Sequence, residues 1–101
     1  MSKWVQGVSN DTAGAISEMV AAADLMRKGY EVFRAVNPGS PCDLIAMKDG
    51  WFLRIQVRTT AYHDKANGQR SIYKPRFPKD KGNTDRYAFV ANNTVIYEDV
   101  S

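Results

Sequence analysis

Apolar residues near the start of the chain recur at helical spacing, with polar residues opposite them. The apolar stripe consists of Ile16, Met19, Val20, Ala23 and Met26, and the polar residues on the other side are Ser17, Asp24 and Lys28. Asn10 or Asp11 can cap the first turn, and Gly29 can end the helix after Lys28. The pattern therefore predicts an amphipathic helix that begins at one of these caps, runs to Lys28 and buries the apolar stripe.

Short apolar runs bounded by turn residues follow the helix. They predict strands over residues 31–36, 43–48, 51–60, 86–91 and 94–97, and Tyr73 with its neighbours is a candidate for a further short strand. Asp49-Gly50 and Asn92-Asn93 are typical of tight hairpin turns. A helix followed by three strands, a loop and a hairpin predicts an α/β or α+β domain, with the N-terminal helix packed on one sheet.

The predicted two-residue turn after Lys48 fixes the register of the first hairpin. Lys48 then lies opposite Trp51, and the same pairing brings Asp43 opposite Gln56. Because residues two apart along a strand share a face, Arg58 projects from the same side as Gln56 and Asp43. The other face is apolar and suited to covering by the helix: Leu44, Ala46, Leu53, Ile55 and Val57. The polar trio is either a functional site or a solvated ladder of side chains.

Length and composition narrow the classes of function. The 101 residues predict a single domain over residues 1–101, and 44% hydrophobic with 25% charged residues is typical of soluble globular proteins. A lone Cys42 and a lone His63 exclude an intrachain disulfide, a Cys-rich zinc site and a His-based metal cage. The start of the chain lacks the features of a signal peptide, so we expect a cytoplasmic protein. Chemistry in this chain must use carboxylates, amides, Lys or Arg.

The positive charge of the chain is concentrated in one stretch. Net charge is +3, yet residues 61–82, here called the basic segment, hold six bases and two acids. The six bases are Lys65, Arg70, Lys74, Arg76, Lys79 and Lys81. Tyr62, Tyr73 and Phe77 are interleaved with them, a composition that can neutralise phosphates and contact sugars or bases. The segment is either a nucleic-acid contact or a solvated loop.

Glu18 is an unusual residue of the predicted helix. It lies about 100° from the polar centre of the helical wheel, beside Ala22 and Leu25. A carboxylate in such a place is either at a boundary or held over something positive.

Four sequence motifs together resemble the PD-(D/E)XK nuclease superfamily. They are Glu18 in the helix, KGYEV over residues 28–32, SPCDLIA over residues 40–46 and IQVRT over residues 55–59. The superfamily core has a helix Glu, an Asp opening a strand and a Glu-x-Lys on the next strand. The subgroups that it resembles are the intron-encoded homing endonucleases with Gln-x-Lys and the archaeal Holliday-junction-resolvase type. DRYAFV over residues 85–90, after a basic and aromatic loop, also resembles the homing endonucleases, so the resemblance covers roughly residues 14–97.

The resemblance implies a restriction-endonuclease-like core with a mixed central sheet, and a metal-dependent DNA endonuclease that hydrolyses phosphodiester bonds. It implies Glu18, Asp43, Gln56 and Arg58 as the catalytic site. Mg²⁺ or Mn²⁺ would be held by Glu18, Asp43, Gln56 and the main-chain carbonyl of Val57. The six bases of the basic segment would grip DNA, double-stranded or branched. If the protein acts on both DNA strands, we expect a homodimer or a higher homo-oligomer, because one small domain has little surface beyond its core.

Arg58 is the departure from the family that matters most, because the family has Lys at that position. Arg keeps the positive charge but cannot lose its proton. Together with Gln56, which carries no charge, Arg58 favours an alternative: a catalytically weakened or inactive nuclease-fold module that binds nucleic acid. A third is a small cytoplasmic α+β protein without a nucleic-acid role.

Overall fold

The computed structural model describes residues 7–37, 39–64, 66–72 and 84–99. Helix α1 (Asn10–Arg27) begins after Ser9, whose hydroxyl oxygen accepts from the Thr12 N–H at 3.2 Å. The predicted caps at Asn10 and Asp11 are therefore one or two residues too late, while the predicted stop is correct: Gly29 has a φ of +90°. Among the described residues, no helix combines the length and the apolar character needed to span a bilayer.

The face that α1 buries differs from the predicted one. Its buried residues are Ser17, Ala21 and Leu25. Met19 and Met26 of the predicted stripe are 53% and 57% exposed. Small side chains at Ser17 and Ala21, both 0% exposed, let the helix backbone approach the sheet closely. The Ser17 hydroxyl is satisfied there by a hydrogen bond of 2.7 Å with the Thr59 hydroxyl. A polar residue thus occupies the centre of the buried face.

In the described part of the chain, seven strands form two sheets. The strands are β1 (Glu31–Arg34), β2 (Leu44–Lys48), β3 (Trp51–Thr59), β4 (Tyr62–Asp64), β5 (Arg70–Ile72), β6 (Arg86–Ala91) and β7 (Thr94–Asp99). The main sheet has the order β1-β2-β3-β6-β7. Within it β3 and β6 pair in parallel, and the other neighbours pair antiparallel. The structure thus confirms a mixed central sheet that carries an N-terminal helix. Strands β4 and β5 form a separate antiparallel pair.

The predicted strand positions hold for all five strands of the main sheet. Strand β1 ends two residues before the predicted boundary, and β7 extends two residues beyond it. The short strand expected around Tyr73 corresponds in part to β5, which ends at Ile72; Tyr73 lies outside the described residues. The predicted hairpin turns are also present, with positive φ values at Asp49 (52°) and Asn92 (56°).

The hydrophobic core lies between α1 and one face of the main sheet. The predicted apolar face is confirmed, since Leu44, Ala46, Ile55 and Val57 are buried and Leu53 packs against them. Ala88 and Val90 of β6 complete the core beside Ala21 and Leu25 of the helix. Gln56 and Arg58 of β3 therefore lie on the opposite face, away from α1.

Polar contacts connect β7 with the C-terminal part of α1. The Tyr97 hydroxyl of β7 donates to Asp24 at 2.5 Å, and the Lys28 ammonium lies 2.6 Å from the same carboxylate. Burial alone would raise the pKa of Asp24, but the hydrogen bonds from Lys28 and Tyr97 outweigh it and lower that pKa. Burial, helped by the neighbouring carboxylate, raises the pKa of Tyr97, so it stays protonated and remains a donor.

Candidate active site

Asp43 lies immediately before β2, and its main chain is hydrogen-bonded to residues on both sides of that strand. Its main-chain N–H donates to the Ile55 carbonyl and its carbonyl accepts from the Ala35 N–H, each at 3.0 Å. Its carboxylate oxygen Oδ2 accepts from the Val57 N–H at 2.8 Å. A side chain thus takes the place of a main-chain acceptor beside β3. The backbone and carboxylate contacts together hold Asp43 in one orientation.

The register of the β2–β3 hairpin agrees with the turn argument. Lys48 pairs with Trp51, and the ladder continues without a slip to Leu44 opposite Ile55. One further step brings Asp43 level with Gln56. The Arg58 guanidinium then links the set, since its Nη1 lies 4.0 Å from Asp43 Oδ2. The structure thus brings together three of the four predicted catalytic residues.

The carboxamide of Gln56 has hydrogen-bond donors on one side and acceptors on the other, and these orient it. The Arg58 guanidinium consists of donors only, so the carboxamide oxygen faces it and accepts from Nη1 at 2.9 Å and Nη2 at 2.8 Å. The amide nitrogen then donates to the Pro41 carbonyl and to Thr84 Oγ1, both at 3.2 Å. The opposite orientation would set the amide N–H groups against the guanidinium and the oxygen against a carbonyl.

Arg58 lies within a cluster of oxygens, which we call the oxygen cluster: Asp43 Oδ2, the Gln56 carboxamide oxygen and the Val57 carbonyl. Besides its contacts with the first two, Nη1 donates to the Val57 carbonyl at 3.0 Å. The side chains of Arg58 and Asp43 are 32% and 26% exposed, so the cluster is open to solvent on one side. The oxygens predicted to hold a metal ion thus face the cationic end of a side chain of the same chain.

The oxygen cluster suits a hard divalent cation. Mg²⁺ prefers oxygen ligands, and Mn²⁺ accepts the same carboxylate and carbonyl donors. In the part of the chain that the structure describes, no group of three His, Cys, Asp or Glu residues could hold a metal. An ion bound here therefore depends on a carboxamide and a main-chain carbonyl in addition to carboxylate.

Glu18, the fourth predicted catalytic residue, has a different neighbour. Its carboxylate accepts from Arg34 Nη2 of β1 at 3.4 Å. Within the described ranges, no hydrogen bond or ion pair joins it to Asp43 or Gln56. Glu18 is 27% exposed and flanks the buried face of α1, so it is at the boundary of that face. Its carboxylate also faces a cation, the Arg34 guanidinium. Both of the alternatives that the sequence left open for Glu18 therefore apply. Each predicted acidic ligand thus lies beside an arginine: Glu18 beside Arg34, and Asp43 beside Arg58.

Thr84 and Asp85 are site-forming residues that sequence reasoning missed. Thr84 is 4% exposed and contacts the Gln56 carboxamide. The Asp85 carboxylate accepts from the main-chain N–H of Arg54 at 2.7 Å, from its Nε at 3.1 Å and from its Nη2 at 3.0 Å. These hydrogen bonds lower the pKa of Asp85. The signal in the sequence is Asp85 itself, an acidic residue at the start of the DRYAFV motif.

The basic segment lies largely beyond the part of the chain that the structure describes. Lys65, Lys74, Arg76, Lys79 and Lys81 are outside the described residues, and Arg70 is described only as a backbone position of β5. Their expected role in DNA binding stays a prediction.

Similarity to solved structures defines the class of fold. The chain superposes on the bacterial homing endonuclease I-Ssp6803I with a TM-score of 0.68 and 17% sequence identity, over 91% of this chain and 66% of that chain. The mixed sheet with its N-terminal helix is therefore a restriction-endonuclease-like α+β fold. The sequence pattern of the PD-(D/E)XK endonuclease family matches residues 8–93. The chain belongs to this family.

A phage protein shares part of the sequence. Protein 5.3 of Escherichia phage T7 is 41% identical to this chain over 46 residues, which are 46% of this chain and 39% of the phage protein. The chain thus spans well under half of that relative, and 66% of the homing endonuclease. The match to the nuclease family agrees with the resemblance found in the motifs around Asp43 and Gln56.

Proposed function

We propose that this chain is a metal-dependent DNA endonuclease that hydrolyses phosphodiester bonds. The observation that supports it most is the oxygen cluster of Asp43, Gln56 and Val57 around the Arg58 guanidinium. Carboxylate, carboxamide and carbonyl oxygens beside a fixed positive charge provide both metal ligands and a partner for phosphate. Membership of a nuclease family supports DNA as the substrate.

The metal ion in this proposal is Mg²⁺ or Mn²⁺, held by Asp43, Gln56 and the Val57 carbonyl. Glu18 is the further acidic ligand, once its contact with Arg34 opens. When bound, such an ion supplies an activated water and stabilises negative charge on the phosphodiester. Gln56 contributes an oxygen without charge, so the affinity for the ion should be lower than with Glu at this position.

Two side chains have defined tasks in this mechanism. Asp43 presents its carboxylate in a fixed direction, because the Val57 N–H holds Oδ2 at 2.8 Å. Arg58 exchanges the oxygens of the cluster for those of the scissile phosphate, to which a guanidinium can donate two parallel hydrogen bonds. Since Arg does not lose its proton, it serves as a fixed positive charge and not as a general base.

DNA is gripped, in the same proposal, by the bases of the basic segment: Lys65, Arg70, Lys74, Arg76, Lys79 and Lys81. Two copies of the chain would cut the two strands, which makes a homodimer or higher homo-oligomer the working assembly. The target is either a duplex, as for a homing endonuclease, or a branched DNA, as for a Holliday-junction resolvase.

The experiment that tests the proposal compares cleavage of plasmid and four-way-junction DNA in Mg²⁺ or Mn²⁺. Asp43→Asn keeps the shape and an acceptor for the Val57 N–H but removes the charge, so cleavage should fall at least about 100-fold. Asp49→Asn is the matched control: Asp49 is exposed in the turn at a φ of 52°, which Asn tolerates, and the rate should not change. Equal cleavage by Asp43→Asn and wild type would refute the site.

A second candidate function is a nucleic-acid-binding module of nuclease fold without turnover. The observation in its favour is the Arg58 guanidinium, which already meets the Asp43, Gln56 and Val57 oxygens. In that case the wild type would bind DNA with a salt-dependent affinity and would cut in neither metal. The paired change of Gln56→Glu with Arg58→Lys would then be the variant to test for restored metal binding.

A further inference from the structure

Gln56 poses a problem of orientation that a Glu at the same position would not. The two oxygens of a carboxylate are equivalent, whereas a carboxamide has an oxygen at one end and an NH₂ group at the other. A divalent cation accepts the oxygen and is repelled by the NH₂ group. A site that relies on Gln56 must therefore select one of two orientations of the same side chain.

In the present arrangement, groups on both sides of the carboxamide make this selection. Arg58 donates to the oxygen at 2.8 and 2.9 Å, and the Pro41 carbonyl and Thr84 Oγ1 accept from the nitrogen at 3.2 Å. In the proposed reaction the Arg58 guanidinium turns to the phosphate, so its influence on the carboxamide is lost. The Pro41 carbonyl, which can only accept, then selects the orientation that leaves the oxygen turned towards the metal. The Thr84 hydroxyl, which can accept or donate, holds the nitrogen end of the carboxamide in place.

Thr84 is built firmly into this position. It is 4% exposed, and its neighbour Asp85 is held by Arg54 through three side-chain hydrogen bonds. The main chain adds a fourth contact, since the Asp85 N–H donates to the Arg54 carbonyl at 2.8 Å. Arg54 lies two residues before Gln56 on β3. The Arg54–Asp85 pair therefore fixes Thr84 relative to the carboxamide that it contacts.

We propose that Thr84 is a positioning residue: together with the Pro41 carbonyl it holds the Gln56 carboxamide with its oxygen directed at the metal site, and so it raises the affinity for the divalent ion. This inference rests on the proposed function, because it assigns Gln56 to the metal. Thr84 itself contacts neither metal nor DNA in this scheme. In this scheme Gln56 is a functional ligand whose neighbours orient its carboxamide, and not merely a substitution that has removed a Glu ligand.

The first test measures Mn²⁺ binding in the absence of DNA, by electron paramagnetic resonance of the free ion. Thr84→Val keeps the shape and removes the hydroxyl, so the affinity should fall roughly 2- to 10-fold, as for the loss of one hydrogen bond. Thr84→Ser restores the hydroxyl and should bind within about 2-fold of wild type. Thr94→Val is the control, because it removes an exposed hydroxyl on β7 that contacts Tyr62 at 2.7 Å.

The second test needs no metal. In ¹⁵N-labelled protein the side-chain amide signals of Gln56, identified by their loss in Gln56→Glu, should exchange with solvent slowly in wild type and Thr84→Ser. Exchange should be faster in Thr84→Val. A destabilised fold would speed exchange at backbone amides too, so thermal unfolding of each variant separates the two effects.

The outcomes are distinct. If wild type binds Mn²⁺ and Thr84→Val binds it equally well, or if Thr84→Ser is as impaired as Thr84→Val, the role of Thr84 is refuted and the proposed function stands. If wild type neither binds Mn²⁺ nor cuts DNA, the proposed function fails, and the claim that Thr84 sets ion affinity fails with it.

Discussion

Replacing Asp85 by Asn should destabilise the fold through one well-defined contact. The Asp85 carboxylate accepts from the main-chain N–H, Nε and Nη2 of Arg54. An Asn side chain with its oxygen in the place of Oδ2 can still accept from the main-chain N–H and Nε of Arg54, but its NH₂ group would then point at Nη2 of the guanidinium. The substitution therefore removes the charge, loses at least one charge-assisted hydrogen bond and adds a contact between donors.

The magnitude follows from the nature and exposure of this contact. Hydrogen bonds to charged groups contribute about 1.5–3 kcal/mol, and solvent screening reduces this because Arg54 and Asp85 are each about one-third exposed. We expect Asp85→Asn to lower the free energy of unfolding by about 2 kcal/mol at pH 7, roughly a 30-fold change in the folding equilibrium. For a chain of this size the melting temperature should fall by about 8–16 °C.

The pH dependence provides a second signature. Hydrogen bonds from Arg54 lower the pKa of Asp85 below its ordinary value of 3.8. A carboxyl group with a depressed pKa contributes its full stabilisation above the unfolded-state pKa and loses it as the pH falls through the folded-state pKa. The stability difference between wild type and Asp85→Asn should therefore be constant near neutrality and shrink below about pH 4.

The assay is urea unfolding of wild type and variant at neutral and acid pH, with Asp99→Asn as the matched control. Asp99 also contacts an arginine, Arg86, at 2.6 Å, but it is 75% exposed. Such a surface pair contributes about 0–1 kcal/mol. If Asp85→Asn costs no more than Asp99→Asn, or if its cost does not shrink in acid, the role assigned to the Arg54 contact is wrong.

Two further predictions concern the proposed reaction and its substrate. Arg58→Lys should preserve or raise the cleavage rate. Arg58→Ala should abolish cleavage and leave the affinity for DNA nearly unchanged, because the contact acts in the transition state. Robust cleavage by Arg58→Ala would show that Arg58 has no catalytic role. Neutralising Lys74, Arg76 and Lys79 together should weaken DNA binding and reduce its dependence on salt, because fewer counterions are released. Binding titrations over a range of salt concentrations measure both quantities. Unchanged values would show that the basic segment does not bind DNA.

The part of the site that the sequence predicts is the part that depends on local geometry. A two-residue turn at Asp49-Gly50 determines the pairing of β2 with β3, and the alternation of faces along each strand does the rest. The encounter of Asp43, Gln56 and Arg58 follows from these two rules.

The buried face of α1 could not be predicted from periodicity, because the rule assumes that large apolar side chains lie inside. Here the helix packs through Ser17 and Ala21, and the hydroxyl of Ser17 finds its partner on Thr59 of β3. That partner is 42 positions away in sequence, so the helix alone gives no sign of it. Met19 and Met26 are consequently left at the surface.

The contact of Thr84 with Gln56 was equally out of reach. It depends on the parallel pairing of β3 with β6, whose register places Ile55 opposite Arg86. No short turn connects these two strands, so no local rule fixes how they align. The parallel register is determined by the complete sheet and not by any single segment.

The same parallel pairing has a consequence for the order in which the chain folds. The β2–β3 hairpin closes over two residues, whereas the Arg54–Asp85 contact joins positions 31 apart. Because loop closure costs more entropy over longer stretches, we expect the hairpin to form before β6 docks on β3. Asp43 and Gln56 therefore meet early, while Thr84 reaches the carboxamide only when the sheet is complete. A chain between these two stages would have Asp43 beside Gln56 but would lack the contact of Thr84 with the carboxamide, so we expect a nascent chain not yet to have the divalent-ion affinity proposed for the finished protein.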